Sequence, residues 1–269
     1  MEFYGLVGAR LSHSLSPEIN NRIYELLNVE GAYKLFEISN EDIGKLGEAI
    51  KLLKIKGVNV TIPYKEVVMD QLDEISKEAQ AIGAINTILF KNGKLYGYNT
   101  DYFGFGSMLS INNIEVKGKS CVILGTGGAS KAVATYLMDE EAKNIYLVSR
   151  DKNKDIKINP KMKLIDYAEL KDIHGDIIIN TTPVGMYPNV GVSPVTKDIL
   201  KKYDTLVDIV YNPETTEFMR LGQELGKKTC GGLYMLVGQA VKAEELWLDR
   251  NIDMKVLNKI YEEIENKFK

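Results

Sequence analysis

Lys65 and Asp101 are an amine and a carboxylate placed where strand-like runs give way to helix-like ones, the positions at which an α/β chain exposes proton chemistry. Ser14, Ser16, Thr61 and Asn86 fall at similar chain reversals in the same N-terminal stretch. Together the six form a polar set suited to holding a small polar ligand. Only after them comes Gly125-Thr126-Gly127-Gly128-Ala129-Ser130, directly behind the apolar run Cys121-Val122-Ile123-Leu124 and ahead of a helical Lys131–Leu137. That context makes the glycines informative. They let a pyrophosphate approach the backbone, and the following helix N-terminus attracts its charge.

At the end of the next strand an NAD-preferring enzyme offers an acid to the ribose hydroxyls. This chain offers Ser149-Arg150-Asp151-Lys152. A guanidinium there suits a 2′-phosphate, so the expected cofactor is NADP rather than NAD, with Asp151 partly offsetting the charge. A polar site followed by a dinucleotide module implies a two-domain oxidoreductase, with Lys65 and Asp101 as its proton-transfer pair.

Each polar residue also has a plainer explanation. Ser16 can cap a helix whose first residue is Pro17, and Asp101 can cap the helical Tyr102–Leu109. Asn86, on the otherwise apolar Ala84-Ile85-Asn86-Thr87-Ile88, is tied to backbone or faces a polar ligand. Lys65 is a solvated cation by default. Following Pro63, it reads as part of a first helical turn, where the helix dipole disfavours a cation unless something holds it. Ser14 and Ser16, two apart in an extended segment, point the same way.

The elements that position these residues are legible in outline. Strands are expected at Glu2–Val7, Ala32–Ile38 and Gly57–Ile62, with helices at Pro17–Leu27 and Glu41–Leu53. Asn92-Gly93, between Ile85–Phe90 and Lys94–Tyr98, predicts a two-residue hairpin, which gives an otherwise parallel sheet an antiparallel portion. From Lys119 the pattern becomes βα repetition, with strands at Ser120–Leu124, Asn144–Val148, Ile177–Ile179 and Thr205–Ile209. Leu233–Asp249 and Ile252–Phe268 read as helices, the first with Leu233, Leu236, Val237, Ala240 and Val241 on one apolar face.

Composition narrows the class. The 269 residues, 45% hydrophobic and 26% charged, can bury one large core or two smaller ones. A net charge of -3 gives no reason to expect nucleic acid or an anionic membrane as partner. No run reaches the ~20 apolar residues of a membrane helix. Cys121 and Cys230 lie far apart, as do His13 and His174, so no metal is expected and the compartment reads as reducing cytoplasm.

The motifs also carry a resemblance. His13-Ser14-Leu15-Ser16-Pro17, Asn59-Val60-Thr61-Ile62-Pro63-Tyr64-Lys65, Gly83-Ala84-Ile85-Asn86-Thr87 and Asn99-Thr100-Asp101 stand in order before the glycine loop. Asn180-Thr181-Thr182-Pro183-Val184-Gly185-Met186, Asp208-Ile209-Val210-Tyr211 and Gly232-Leu233-Tyr234-Met235-Leu236-Val237-Gly238-Gln239 follow it. Along nearly its whole length the chain resembles the shikimate dehydrogenase family.

The resemblance implies an α/β fold in two domains. One is a substrate domain with a mixed sheet, residues 1–101 plus 235–269. The other is a Rossmann-type, doubly wound NADP-binding domain, residues 102–234. It implies Lys65 and Asp101 as the catalytic pair, with Ser14, Ser16, Thr61, Asn86, Asp101, Tyr211 and Gln239 around shikimate. Asn59 is expected to line the same pocket. It assigns the cofactor to Gly125, Thr126, Gly127, Gly128, Ala129, Ser149, Arg150, Asp151, Lys152 and Lys154, with Ile209 and Gly232 near the nicotinamide. The expected reaction reduces 3-dehydroshikimate to shikimate on the route to chorismate and the aromatic amino acids, in a monomer or homodimer.

Three departures stand out. Ser149-Arg150-Asp151 replaces the family's Asn-Arg-Thr, Asn20 replaces a histidine, and Gly231 stands where relatives carry an acid. Two other readings remain open at this point: a quinate/shikimate dehydrogenase using NAD, and a nucleotide-binding sensor without catalysis. Retention of both Lys65 and Asp101 argues against the sensor.

Overall fold

The structure, a computed structural model, describes residues 1–12, 14–151, 159 and 161–268. Lys152 and Lys154, expected at the cofactor, lie outside the described residues, as does His13. The chain divides into two compact units, Met1–Gly104 with Val237–Glu263, and Phe105–Leu236 with the residues from Ile264 onward. Among the described residues no helix is long and apolar enough to cross a membrane.

Unit 1 begins with β1 (Glu2–Gly8), α1 (Ser16–Leu27), β2 (Gly31–Glu37), α2 (Leu46–Leu53) and β3 (Gly57–Val60). It continues with β4 (Glu74–Ile75), α3 (Lys77–Ile82), β5 (Thr87–Lys91), β6 (Lys94–Tyr98) and the start of α4 (Thr100–Ile111). The sheet order is β2-β1-β3-β5-β6-β4. β1 pairs in parallel with β2 and β3, while β5 runs antiparallel to both β3 and β6. The β5–β6 turn places Asn92 at φ 54 and Gly93 at φ 79, the left-handed pair that a two-residue hairpin demands.

Alternation along the strands builds two cores. Val7, Val58 and Val60 face Ile50 of α2 and Leu95. Tyr4 and Leu6 face the other way, toward Tyr24, Tyr33 and Trp247.

Unit 2 carries β7 (Ser120–Leu124), α5 (Gly128–Asp139), β8 (Asn144–Ser149), β9 (Met162–Asp166) and β10 (Ile177–Asn180). Then come α6 (Lys197–Leu200), β11 (Thr205–Asp208), α7 (Glu217–Glu224) and β12 (Lys228–Cys230). Its strands are all parallel, in the order β12-β11-β10-β7-β8-β9. The winding therefore reverses between β7 and β10, and the carboxyl ends of strands beside such a reversal are where a doubly wound sheet binds ligands. Cys121 and Ile123 pack on one face, Val122 and Leu124 on the other, so β7 is buried on both sides.

Two helices close the chain, α8 (Leu233–Leu248) and α9 (Met254–Glu265). Trp247 of α8 ties that helix to the unit 1 sheet. Its indole N–H donates to the Ile88 carbonyl at 2.9 Å, and its ring occupies the space that Gly57 leaves by having no side chain. A Cβ at Gly57 would stand 2.1 Å from the indole nitrogen.

Local structure departs from sequence expectation at several places. The segment expected to be helical from Glu41 starts as a 3-10 turn, Ile43–Lys45, and becomes α-helix only at Leu46. A Ser39–Asp42 side-chain turn occupies the start of that segment. β4, β9 and β12 are too short or too polar for their alternation to register in the sequence. Lys65 does not sit in a helix. The chain after Pro63 makes turns and a brief 3-10 segment, Met69–Gln71, so Lys65 is not in the first turn of a helix of its own. Nor is Ser16 a cap. α1 begins at Ser16 itself, after Leu15, and the Ser16 N–H donates to the Ser14 hydroxyl at 3.2 Å.

Candidate active site

In unit 1 the end of the β5 approach and the start of α4 converge on Lys65. The Lys65 ammonium donates to Asp101 Oδ2 at 2.5 Å, and the two side chains are 19% and 16% exposed. That exposure is enough for a small molecule to reach the pair while most of its surface is shielded from water. Asp101 is in the first turn of α4 and caps nothing. Its Oδ1 accepts from Asn86 Nδ2 at 3.0 Å. Asn86 is fixed in turn, because its Oδ1 accepts from the Thr100 backbone N–H at 2.7 Å and from the Thr100 hydroxyl at 3.1 Å. Of the two readings offered for Asn86, the tie to backbone is the one seen. The amide is tied to backbone through its oxygen and turned toward charge through its nitrogen.

Ser14 and Ser16 are brought together, the Ser14 hydroxyl donating to Ser16 Oγ at 3.1 Å, but by a turn and not by an extended segment, since Leu15 between them is in the right-handed helical region. Asn20, one turn into α1, donates to the Ser16 carbonyl at 2.7 Å and holds that turn. Thr61 follows β3, adjacent to β1, and its backbone N–H donates to the Val7 carbonyl at 2.9 Å. Its methyl lies against Gly8, where a Cβ would stand 2.7 Å away. Gln239 is half-buried on α8.

In unit 2 a cavity of about 410 Å³ opens at the winding reversal. It is lined by Gly125, Thr126 and Gly127 after β7, by Ser149, Arg150 and Asp151 after β8, and by Thr181 and Thr182 after β10. Gly125 adopts φ +108, which favours glycine, whereas Gly127 and Gly128 have only open space where a side chain would stand. α5 has no side-chain cap and no acid in its first turn. The Ser130 hydroxyl turns back onto the Gly127 carbonyl at 2.6 Å instead. A helix start with unclaimed N–H groups facing a glycine-lined hollow accepts a pyrophosphate. Ala129 is half-buried in that first turn. The Ser149 hydroxyl bridges to Asp151, donating to its carbonyl at 2.7 Å, and so shapes the turn that presents the exposed Arg150. The residues present therefore fit a dinucleotide.

Ile209 and Gly232 meet in the same unit. A Cβ on Gly232 would stand 2.1 Å from the Ile209 carbonyl oxygen. Tyr211, half-buried, has its ring 6.3 Å from that of Phe268, and burial raises its phenol pKa. The segment carrying Ile209 and Tyr211 is held by Asp208, which stands out in the sequence only as part of a motif. Asp208 is fully buried and accepts from Asn180 Nδ2 at 3.0 Å, the Val210 N–H at 3.0 Å and the Thr216 hydroxyl at 2.7 Å. Burial outweighs these donors and pushes its carboxyl up to about 6.

Sequence reasoning also missed Tyr33, Thr87 and Thr100, which lie behind Asn59 and Asn86. Tyr33 sits on a strand with no motif around it, and Thr87 and Thr100 entered the sequence reading only as members of motifs, with no role of their own.

Comparison with known proteins supplies the family. Residues 6–88 match the model for the shikimate dehydrogenase substrate binding domain. The chain is 54% identical over 270 residues to the shikimate dehydrogenase (NADP(+)) of Clostridium beijerinckii, covering 100% of each. It belongs to the shikimate dehydrogenase family. A crystal structure of shikimate dehydrogenase 1 from Peptoclostridium difficile superposes with a TM-score of 0.92 at 59% identity, covering 100% of this chain and 99% of that one. The enzyme of Thermus thermophilus, crystallised with NADP(H) and shikimate, gives a TM-score of 0.88 at 29% identity, covering 98% and 99%. Membership in this enzyme family agrees with the two-sheet α/β architecture. The matched domain model spans Ser14, Ser16, Thr61, Lys65 and Asn86 and stops before Asp101.

Proposed function

We propose that this protein is a shikimate dehydrogenase that interconverts shikimate and 3-dehydroshikimate with NADP, in the biosynthesis of chorismate and the aromatic amino acids. The observation that carries the proposal is the Lys65–Asp101 contact at 2.5 Å, with Asn86 locking the far carboxylate oxygen. Bound NADP supplies the hydride donor or acceptor. The chain supplies the proton. In the reducing direction Lys65 Nζ gives a proton to the carbonyl oxygen, and in the oxidising direction it takes the hydroxyl proton back. Asp101 Oδ2 keeps the ammonium in place and orients the substrate hydroxyl beside it.

Ser14, Ser16, Thr61, Asn86 and Gln239 of unit 1 hold the hydroxyls and carboxylate of the substrate, so that the reacting carbon is presented in one orientation. Unit 1 is then the substrate domain and unit 2 the cofactor domain. Gly125 to Ala129 take the pyrophosphate, and Ile209 and Gly232 border the nicotinamide. Arg150 reads the 2′-phosphate from the turn that Ser149 and Asp151 shape. Buried free thiols at Cys121 and Cys230 support a reducing cytoplasm as the compartment. The enzyme acts as a monomer or homodimer on this small-molecule substrate.

The test is a rate assay of the purified protein with shikimate or quinate, each crossed with NADP⁺ or NAD⁺. Turnover fastest with shikimate and NADP⁺ is expected. A folded protein inactive with all four pairs would end the proposal.

A further inference from the structure

Behind the Lys65–Asp101 pair runs a buried chain of hydrogen bonds whose direction is forced by backbone groups. The Thr100 N–H can only donate, so the Asn86 atom it meets at 2.7 Å is Oδ1, and Nδ2 must face Asp101. The Asn86 carbonyl can only accept, so the Asn59 atom facing it at 3.3 Å is Nδ2. Asn59 Oδ1 is thereby left to accept from the Tyr33 hydroxyl at 2.7 Å. Asn59 Nδ2 also donates to Thr87 Oγ1 at 3.0 Å, which commits the Thr87 proton onward. It goes to Asn86 Oδ1 at 3.0 Å, or to the Thr100 hydroxyl at 3.2 Å, which itself reaches Asn86 Oδ1. By either route the donors all point one way, toward Asp101.

We propose that Tyr33 and Thr87 are positioning residues of the proton-transfer pair, acting through the Asn59 and Asn86 amides to fix the Asp101 carboxylate that holds Lys65. The inference rests on the reading of Lys65 and Asp101 given above. Tyr33, Asn59, Asn86, Thr87 and Thr100 are all buried, so water does not replace a missing member cheaply. Burial also raises the Tyr33 phenol well above its ordinary pKa, which keeps the first donor protonated. A valine in place of Thr87 keeps the shape and suits a strand, yet removes the hydroxyl that connects the two amides.

The experiment is a double-mutant cycle between Thr87→Val and Asp101→Asn, read as kcat and KM for shikimate with NADP⁺ saturating. In the wild-type background Thr87→Val lowers kcat by about ten-fold with little change in either KM, because misplacing the reacting groups slows the chemical step. Thr87→Ser restores most of the rate. In the Asp101→Asn background Thr87→Val has no further effect. An equal loss in both backgrounds, or none in the wild type, overturns the proposal.

A second readout needs no turnover. In the ligand-free protein the Asn86 side-chain amide protons, followed by ¹⁵N NMR, should exchange with water several-fold faster in Thr87→Val and in Tyr33→Phe. Unchanged exchange in both variants would overturn the relay itself. Absence of shikimate oxidation in the wild-type protein would instead count against the assigned function.

Discussion

The two units build their sites from different material. In unit 1 the site is made of side chains, with Lys65, Asp101 and Asn86 linked atom to atom within a buried network. In unit 2 it is made mostly of backbone, a hollow where Gly127 and Gly128 leave space and the start of α5 leaves N–H groups unclaimed. The first arrangement suits a reaction, which needs a proton held at one atom. The second suits a long anionic ligand, which needs room and a diffuse positive field. Breaking the first should cost rate, and filling the second should cost cofactor affinity.

The largest effect is expected at Asp101. Asp101→Asn removes the charge that holds the ammonium and a substrate partner as well, so kcat/KM for shikimate should fall by roughly three orders of magnitude, with kcat and KM both worse. KM for NADP⁺ should hardly move. An equal rise in both KM values would mean that the two sites are less separate than their chemistry suggests.

In unit 2, Gly127→Val adds a side chain where the protein itself has nothing within 4 Å, at an ordinary negative φ. Melting temperature should be nearly unchanged, while KM for NADP⁺ rises about ten-fold or more because the pyrophosphate can no longer approach the backbone closely. A destabilised variant with normal KM would make this glycine a residue of the fold. Arg150→Ala narrows the test to one group. Removing a charge-assisted hydrogen bond to the 2′-phosphate costs about 1.5–3 kcal/mol, felt with NADP⁺ and not with NAD⁺. Equal effects on both cofactors would take Arg150 off the phosphate.

The glycine loop was legible because a strand, a glycine turn and a helix leave a pattern in the residues themselves. The hairpin at Asn92-Gly93 was legible for the same reason. Lys65, Asp101 and Asn86 stood out as polar groups at element ends, but the helix expected to begin at Lys65 does not form, and the residues after Pro63 make turns instead. Tyr33 was invisible and Thr87 was only the last residue of a motif, since the role proposed for them depends on β1, β2, β3 and β5 lying side by side, a fact of tertiary pairing. Asp208 was hidden likewise, as its donors come from Asn180 on β10 and from the turn that follows β11.

Two buried acids extend the contrast to stability, with the smallest effect. Asp208 of unit 2 has three donors and is pushed up to about 6. Glu244 of α8, in unit 1, is fully buried with no hydrogen-bond partner for either oxygen among the described residues. Burial pushes its carboxyl up to about 8, while the nearby Tyr24 hydroxyl, which does not reach hydrogen-bond geometry, and then Arg250 pull weakly the other way. An acid that binds its proton more tightly when folded makes the fold lose stability as pH rises between the unfolded and folded values. For Asp208 that decline ends near 6, and for Glu244 it continues from 4.5 to about 8. Glu244→Gln should therefore remove the part of the decline that lies above pH 6, with a gain in stability that grows toward pH 8, read by urea unfolding. A slope unchanged in the variant would show that Glu244 ionises freely.

Lys65 is where the chemistry of unit 1 converges, because the hydrogen bonds from Tyr33, Asn59, Thr87 and Asn86 lead to Asp101, the carboxylate that holds its ammonium. The most direct measurement is the rate of NADP⁺ reduction by shikimate in Lys65→Met, with both substrates saturating and the fold checked by its melting curve. The expected result is a kcat lower by about two orders of magnitude or more, with KM for shikimate and for NADP⁺ much less affected. A folded Lys65→Met enzyme turning over near the wild-type rate would contradict the assignment of Lys65 as the proton carrier.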